Sequence, residues 1–251
     1  MLKILALVSG AICLCSVSIA AAAPPTAKPR SFAQWCLQKK SLPAETRQTI
    51  DVLLTQAGTK DCKRADRQLK TLTTLTLKNN QISDVKPLAG LTNLTSLNLS
   101  YNHEISNIQP LAGLTKLTSL YLHRNKISGV KTLAGLTNLT ILWLYESEIS
   151  DVKPLVGLTN LNSLWLSRNK ISDVKPLAGL IKLTDLNLNE NKISDVKPLA
   201  GLTNLTKLWL EDNQLSDIQP LAGLIKLTRL RLSGNKIDIK ACPLKPYICE
   251  F

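Results

Sequence analysis

Histidine and aromatic side chains are scarce in this 251-residue chain, which holds two histidines and only 4% Phe, Trp and Tyr. His103 and His123 have no cysteine near them, so no metal-ligand spacing is present and no metal or cofactor is expected. Neither G-x-S-x-G, nor H-E-x-x-H, nor a phosphate-binding loop occurs, and a catalytic role is not expected. Acidic residues are also short, 18 against 31 basic, for a formal charge of +13. Such an excess invites a nucleic-acid reading, but its distribution argues against one. The surplus is divided between Lys39, Lys40, Lys60, Lys63, Arg64 and Arg67 near the start and Lys126, Lys170, Lys192 and Lys236 later on. A lysine series (Lys86, Lys131, Lys153, Lys175, Lys197) runs alongside aspartates two residues upstream (Asp84, Asp151, Asp173, Asp195, Asp217), which are expected to match it. A solvated basic surface or attraction to an acidic envelope fits better.

Leucine is abundant, and its order is fixed. The unit L-x-x-L-x-L-x-x-N-x-I-S-D-V-K-P-L-A-G-L-T-N starts at Leu72, Leu94, Leu117, Leu139, Leu161, Leu183, Leu205 and Leu227. Successive starts lie 22 residues apart, apart from one step of 23 after Leu94. This period and motif are the signature of a leucine-rich-repeat solenoid. The expected fold is an α/β right-handed superhelix. Short parallel strands form its concave face, 3₁₀ and turn segments its convex face, and a helical cap covers its N-terminus. In L-x-L the leucines point inward and their neighbours outward. Each unit has an apolar face that only stacking can bury. Asn80, Asn102, Asn125, Asn169, Asn191, Asn213 and Asn235 stand where the chain leaves the strand, and their amides can satisfy stranded backbone groups. Ser147 breaks this series, which predicts a weaker rung. The NLT and NLS triplets arise from the repeat and carry little weight as glycosylation sites.

The ends read differently. Residues 4–23 follow Lys3, are apolar and close on small residues, as a secretory signal does; an uncleaved anchor is the competing reading. The expected organisation is a signal at 1–22, a linker at 23–30, a helical cap at 31–70, eight repeats at 71–239 and a C-terminal cap at 240–251. Removing the leader leaves Cys36, Cys62, Cys242 and Cys249. Eight strands at about 4.8 Å hold the two ends roughly 35 Å apart, and a disulfide needs Cα atoms within about 7 Å. Cys36 is therefore predicted to pair with Cys62, and Cys242 with Cys249. Within the first cap, Pro43 should open a helix whose Ile50, Leu53, Leu54 and Ala57 share a face and which Gly58 stops; Trp35 reads as core.

The outward strand positions are not bland. The x of L-x-L reads Thr76, Asn98, Tyr121, Trp143, Trp165, Asn187, Trp209 and Arg231, so three of the four tryptophans share one column. Tyr101 and Tyr145 flank it, and His123 reads as an exposed contact or spectator. Exposed apolar patches mark interaction sites. Arg124, Glu146, Arg168 and Glu190 alternate in sign along the same face and should pair with one another. Lys207, Arg229 and Arg231 form a basic cluster without evident compensation. Asn187 is expected to separate Trp209 from the other rings.

The repeats at 72–239 resemble the 22-residue class of bacterial internalins and of a eukaryotic phosphatase-regulating subunit. "FAQWCLQKKSLPAETRQTIDVLLTQAGTKDC" at 32–62 and "ACPLKPYICEF" at 241–251 resemble the ends of secreted cyanobacterial leucine-rich-repeat proteins. The internalin resemblance implies a solenoid that grips protein partners on its concave face. This chain carries no immunoglobulin-like domain or wall-sorting motif, so host-cell invasion is not implied. The expectation is a secreted or periplasmic, non-catalytic, monomeric recognition module that binds a protein through Tyr101, Tyr121, Trp143, Tyr145, Trp165, Trp209, Arg229 and Arg231. Binding of envelope carbohydrate is the alternative, and a phosphatase-regulating scaffold a distant one. No nucleic acid and no stable membrane insertion after signal removal are expected.

Overall fold

The computed structural model describes residues 29–238 and 241–251. The expected leader at 1–22 lies outside the described residues. Among the described residues, no helix is long and apolar enough to cross a membrane.

The L-x-L triplets form eight three-residue strands: β1 (Thr74–Thr76), β2 (Ser96–Asn98), β3 (Ser119–Tyr121), β4 (Ile141–Trp143), β5 (Ser163–Trp165), β6 (Asp185–Asn187), β7 (Lys207–Trp209) and β8 (Arg229–Arg231). All pair in parallel and in chain order, leucine opposite leucine, as in Leu120, Leu142 and Leu164. The 23-residue step leaves this register intact, because Ser96 still faces Ser119. Its extra residue is absorbed in the turn, where Tyr101 and His103 both take positive φ. The strand leucines are buried, as are Ile82, Ile105, Ile127, Ile149, Ile171 and Ile193 after the turns. Opposite the strands, short 3₁₀ segments such as Lys153–Leu155 and Lys175–Leu177 return the chain.

Three polar ladders close the backbone accounts. Asn169 Nδ2 donates to Leu144 O and Leu166 O at 3.0 and 2.9 Å, and its Oδ1 accepts from Ile149 N at 2.9 Å. Asn191 and Asn213 repeat the pattern. On the return side, Asn138, Asn160 and Asn204 donate to carbonyls of the preceding repeat, and Asn93 donates to Lys70 O of the N-terminal cap. The Nδ2 atoms of Asn93, Asn138 and Asn204 are the NLT acceptor atoms, and the ladder already uses them. Thr95, Thr118, Thr140, Thr184, Thr206 and Thr228 do the same with their hydroxyls. Ser147 Oγ is buried without a partner, and so is Asn125 Oδ1 beside the inserted residue. Asn169→Ala is expected to cost about 1–3 kcal/mol through unpaired buried groups, and Ser147→Asn to be neutral or stabilising. Urea midpoints that move together for the two variants would contradict the ladder account.

The aspartate series works otherwise than expected. Asp151, Asp173 and Asp195 accept from the backbone N–H of Lys153, Lys175 and Lys197 at 2.8–2.9 Å, each closing a local turn at the start of a 3₁₀ segment. Among the described residues only Lys86 brings its ammonium near its aspartate, 3.7 Å from Asp84. A carboxylate two residues upstream meets the backbone before it can meet the long side chain.

The N-terminal cap has three helices: α1 (Phe32–Leu37), α2 (Ala44–Gln56) and α3 (Cys62–Thr71). Ser31 and Gln34 form a capping box on α1. Pro43 is the N-cap of α2, and Gly58 at φ +60° lies just past its end. Phe32, Ile50, Leu53, Ala65 and Leu69 are buried. Leu54 and Ala57 are only partly covered, because the face that buries Ile50 and Leu53 turns away from them. Trp35 is likewise half-buried rather than core, and the Arg30 guanidinium lies 5.0 Å from its ring. Thr49 donates to Asp84 O at 2.7 Å and Gln48 to Asn80 O at 3.0 Å, which fastens α2 to the first repeat. Cys36 is bonded to Cys62, and Cys242 to Cys249, with Cα separations of 5.6 and 5.7 Å. The C-terminal cap adds a strand that the repeat pattern does not contain, β9 (Cys249–Glu250), parallel to β8.

Candidate functional site

Strand register brings Tyr121, Trp143 and Trp165 directly beside one another. All three point away from the leucine core and are half-buried. Neighbouring strands lie about 4.8 Å apart, close to the separation of stacked rings. Trp143 and Trp165 accordingly stack at 4.5 Å and 13°, and Tyr121 meets Trp143 edge-on at 5.0 Å. Trp143 Nε1 lies 3.4 Å from Ser163 Oγ. Asn187 does not isolate Trp209: the indoles of Trp165 and Trp209 approach to 6.1 Å, edge to face. An indole is longer than one strand spacing and reaches over the smaller amide, whose Oδ1 is held by Asn189 N at 3.1 Å.

Beside this column stands a second one, the position after L-x-L. Tyr145 stacks on His123 at 4.1 Å and 13° and tilts against Trp165 at 6.0 Å. Tyr101 meets His123 edge-on at 5.3 Å, with the Lys78 ammonium and the Arg124 guanidinium within 4.5 and 4.7 Å of its ring. The proposed contacts Tyr101, Tyr121, Trp143, Tyr145, Trp165 and Trp209 thus belong to one patch. Burial and the neighbouring Tyr101 push the Tyr145 phenol up to about 12.

His123 corrects the expectation of an exposed spectator. It is 5% exposed, and its Nδ1 has no hydrogen-bond partner. Two flanking tyrosines and Trp143 cover it, a neighbourhood visible only when adjacent repeats are laid side by side. Burial, together with Lys78 and Arg124, lowers its pKa to about 4 from an ordinary 6.5. The folded protein therefore keeps the ring neutral where the unfolded chain would protonate it. That contribution is fully present above pH 6.5, is lost as pH falls towards 4 and stays level below. The loss is at most about 3 kcal/mol. His123→Phe keeps the stacking and should flatten this part of the stability–pH curve. An unchanged pH dependence in urea melts of the variant would rule the histidine out.

A charged border completes the face. Arg124 Nε lies 2.7 Å from Glu146 Oε2, and Arg168 reaches Glu146 at 3.3 Å and Glu190 at 2.7 Å. Arg124, Glu146, Arg168 and Glu190 all hold positive φ, so the turn presents them in a left-handed conformation that costs non-glycine residues energy. The cluster of Lys207, Arg229 and Arg231 is not uncompensated. Arg229 and Arg231 lie 3.4 and 3.1 Å from Glu250, Arg231 is 3.9 Å from Glu211, and Lys207 is 3.8 Å from Asp185. Glu250 reaches them only because β9 extends the sheet by one strand, which the sequence pattern does not reveal. Among the described residues no group of three or more His, Cys, Asp or Glu could hold a metal ion.

A family model described as Leucine Rich repeats (2 copies) matches residues 70–113, 115–157, 137–179, 159–201 and 203–245. No curated protein matches the chain. Among solved structures, internalin C2 of Listeria monocytogenes is similar at 35% identity and a TM-score of 0.73, over 80% of this chain and 90% of that one. A second internalin of that organism is 33% identical with a TM-score of 0.74, over 85% of this chain and 62% of its own length. A leucine-rich-repeat protein of Leptospira interrogans is 34% identical with a TM-score of 0.66, over 70% of this chain and 46% of its own.

Proposed function

The chain belongs to the leucine-rich-repeat proteins, and from that membership we propose that it is an exported recognition module that binds a protein partner on the aromatic face of its sheet. The observation that carries this reading is the ribbon of Tyr121, Trp143, Trp165 and Trp209, joined ring to ring on the face that does not pack against the core. The leucines fill the solenoid's interior without these rings, and binding hot spots are rich in Trp, Tyr and Arg. The paired charges around the ribbon give a polar rim, the usual anatomy of a protein interface. Because Arg229 and Arg231 are offset by Glu250, the partner need not be acidic. Two disulfides in the caps favour an oxidising compartment, secreted or periplasmic. The test is capture from envelope and culture-medium fractions with the native chain and with a Trp143→Ala/Trp165→Ala double variant. A protein retained by the first and lost by the second supports the reading. Equal retention, or retention of glycans alone, counts against it.

A further inference from the structure

Away from the sheet, the N-terminal cap holds a groove of about 1070 Å³ that runs along the Cys36–Cys62 disulfide, Leu37 and Leu54. Leu37 is 65% exposed at the end of α1, and Leu54 is the α2 leucine left only partly covered. A concavity of about this size, with apolar walls and a few polar groups at its edge, is the usual form of a small-molecule site. The edge is basic. Lys39, Lys40 and Lys60 line it together with Asp51, and Asp51 is taken up by an ion pair with Lys39. Lys40 and Lys60 are exposed, and among the described residues neither forms an ion pair. Another apolar surface stands at the far end, where Ile225 and Tyr247 are 82% and 78% exposed beside Lys226 and Lys245. Its lysines would face those of the first groove, so a second copy joined end to end meets like charges.

We infer that the groove in the N-terminal cap binds an anionic amphiphile, a single alkyl chain bearing a carboxylate. The chain lies along the disulfide, Leu37 and Leu54, and the carboxylate meets the ammonium groups of Lys40 and Lys60. The recognition is additive: burying each further methylene strengthens binding by up to about fourfold, and the head group sets the sign of charge accepted. The site is separate from the aromatic face and does not depend on it.

The experiment is calorimetric titration of the full chain with octanoate, decanoate and dodecanoate, each below its micelle concentration, and with alkyltrimethylammonium of equal length. Affinity should rise with chain length and be at least tenfold weaker for the cationic series. A Lys40→Glu/Lys60→Glu double variant should weaken carboxylate binding tenfold or more. Leu37→Asp, at a position too exposed to unsettle the fold, should do the same with an unaltered circular dichroism spectrum. The inference is overturned by absence of binding, by equal affinity for the cationic series, or by indifference to the substitutions. Binding confined to anionic vesicles, with none of the monomeric amphiphile, would overturn it too.

Discussion

Leu142→Ala is expected to lower the stability of the solenoid by about 2–5 kcal/mol, while Trp143→Asn, one residue on, costs less, about 1–3 kcal/mol. Leu142 is fully buried and in register between Leu120 and Leu164, so truncation leaves a cavity in the middle of the leucine stack. Stacked repeats stabilise only their neighbours. A cavity in β4 therefore weakens both adjoining interfaces and broadens the urea transition. Trp143 points to the other face, and its column already accepts Asn98 and Asn187 in other repeats. What the asparagine loses is stacking on Trp165 and Tyr121, worth about 0.5–1.5 kcal/mol for each pair. Urea denaturation followed by circular dichroism measures both. Equal costs would mean that Trp143 is a core residue.

Reduction of the N-terminal disulfide should be the more damaging of the two. The Cys36–Cys62 bridge closes a loop of 26 residues, the Cys242–Cys249 bridge one of 7. Loop-closure entropy assigns about 3.5 kcal/mol to the first and about 2.4 kcal/mol to the second. The first bridge also ties α1 to α3, whose Leu69 is buried in the same core as Phe32. Cys36→Ser/Cys62→Ser is therefore expected to lose about 2–5 kcal/mol, and Cys242→Ser/Cys249→Ser less. Paired melts of the two variants check the order, and the reverse order would show that the N-terminal cap contributes little to the array.

The repeat told most about the parts that recur. A leucine on alternate residues must face one way, so strand positions, parallel pairing and the outward tryptophan column follow from spacing alone. The cysteine pairing followed from the length of the array. What escaped was set by side-chain reach and by single departures from the pattern. His123 looks exposed within its own repeat and is buried by rings of the repeats on either side. Trp209 spans Asn187 because an indole is longer than a strand spacing. Glu250 neutralises two arginines from a strand only two residues long, too short to show a period. The aspartates after serine read as partners for lysine side chains, and they accept from backbone N–H groups instead. Ser147 was legible as a break, and its hydroxyl is indeed left without a partner.

The most direct measurement of the binding face is the dissociation constant of a captured partner for the native chain, Trp143→Ala and Trp165→Ala, taken where all three are folded. Loss of a central aromatic anchor predicts a weakening of about 30-fold or more for each variant, the equivalent of roughly 2 kcal/mol, with circular dichroism spectra that superimpose. Native-like dissociation constants in both folded variants would show that the partner binds elsewhere on the solenoid and would contradict the assignment of the aromatic face.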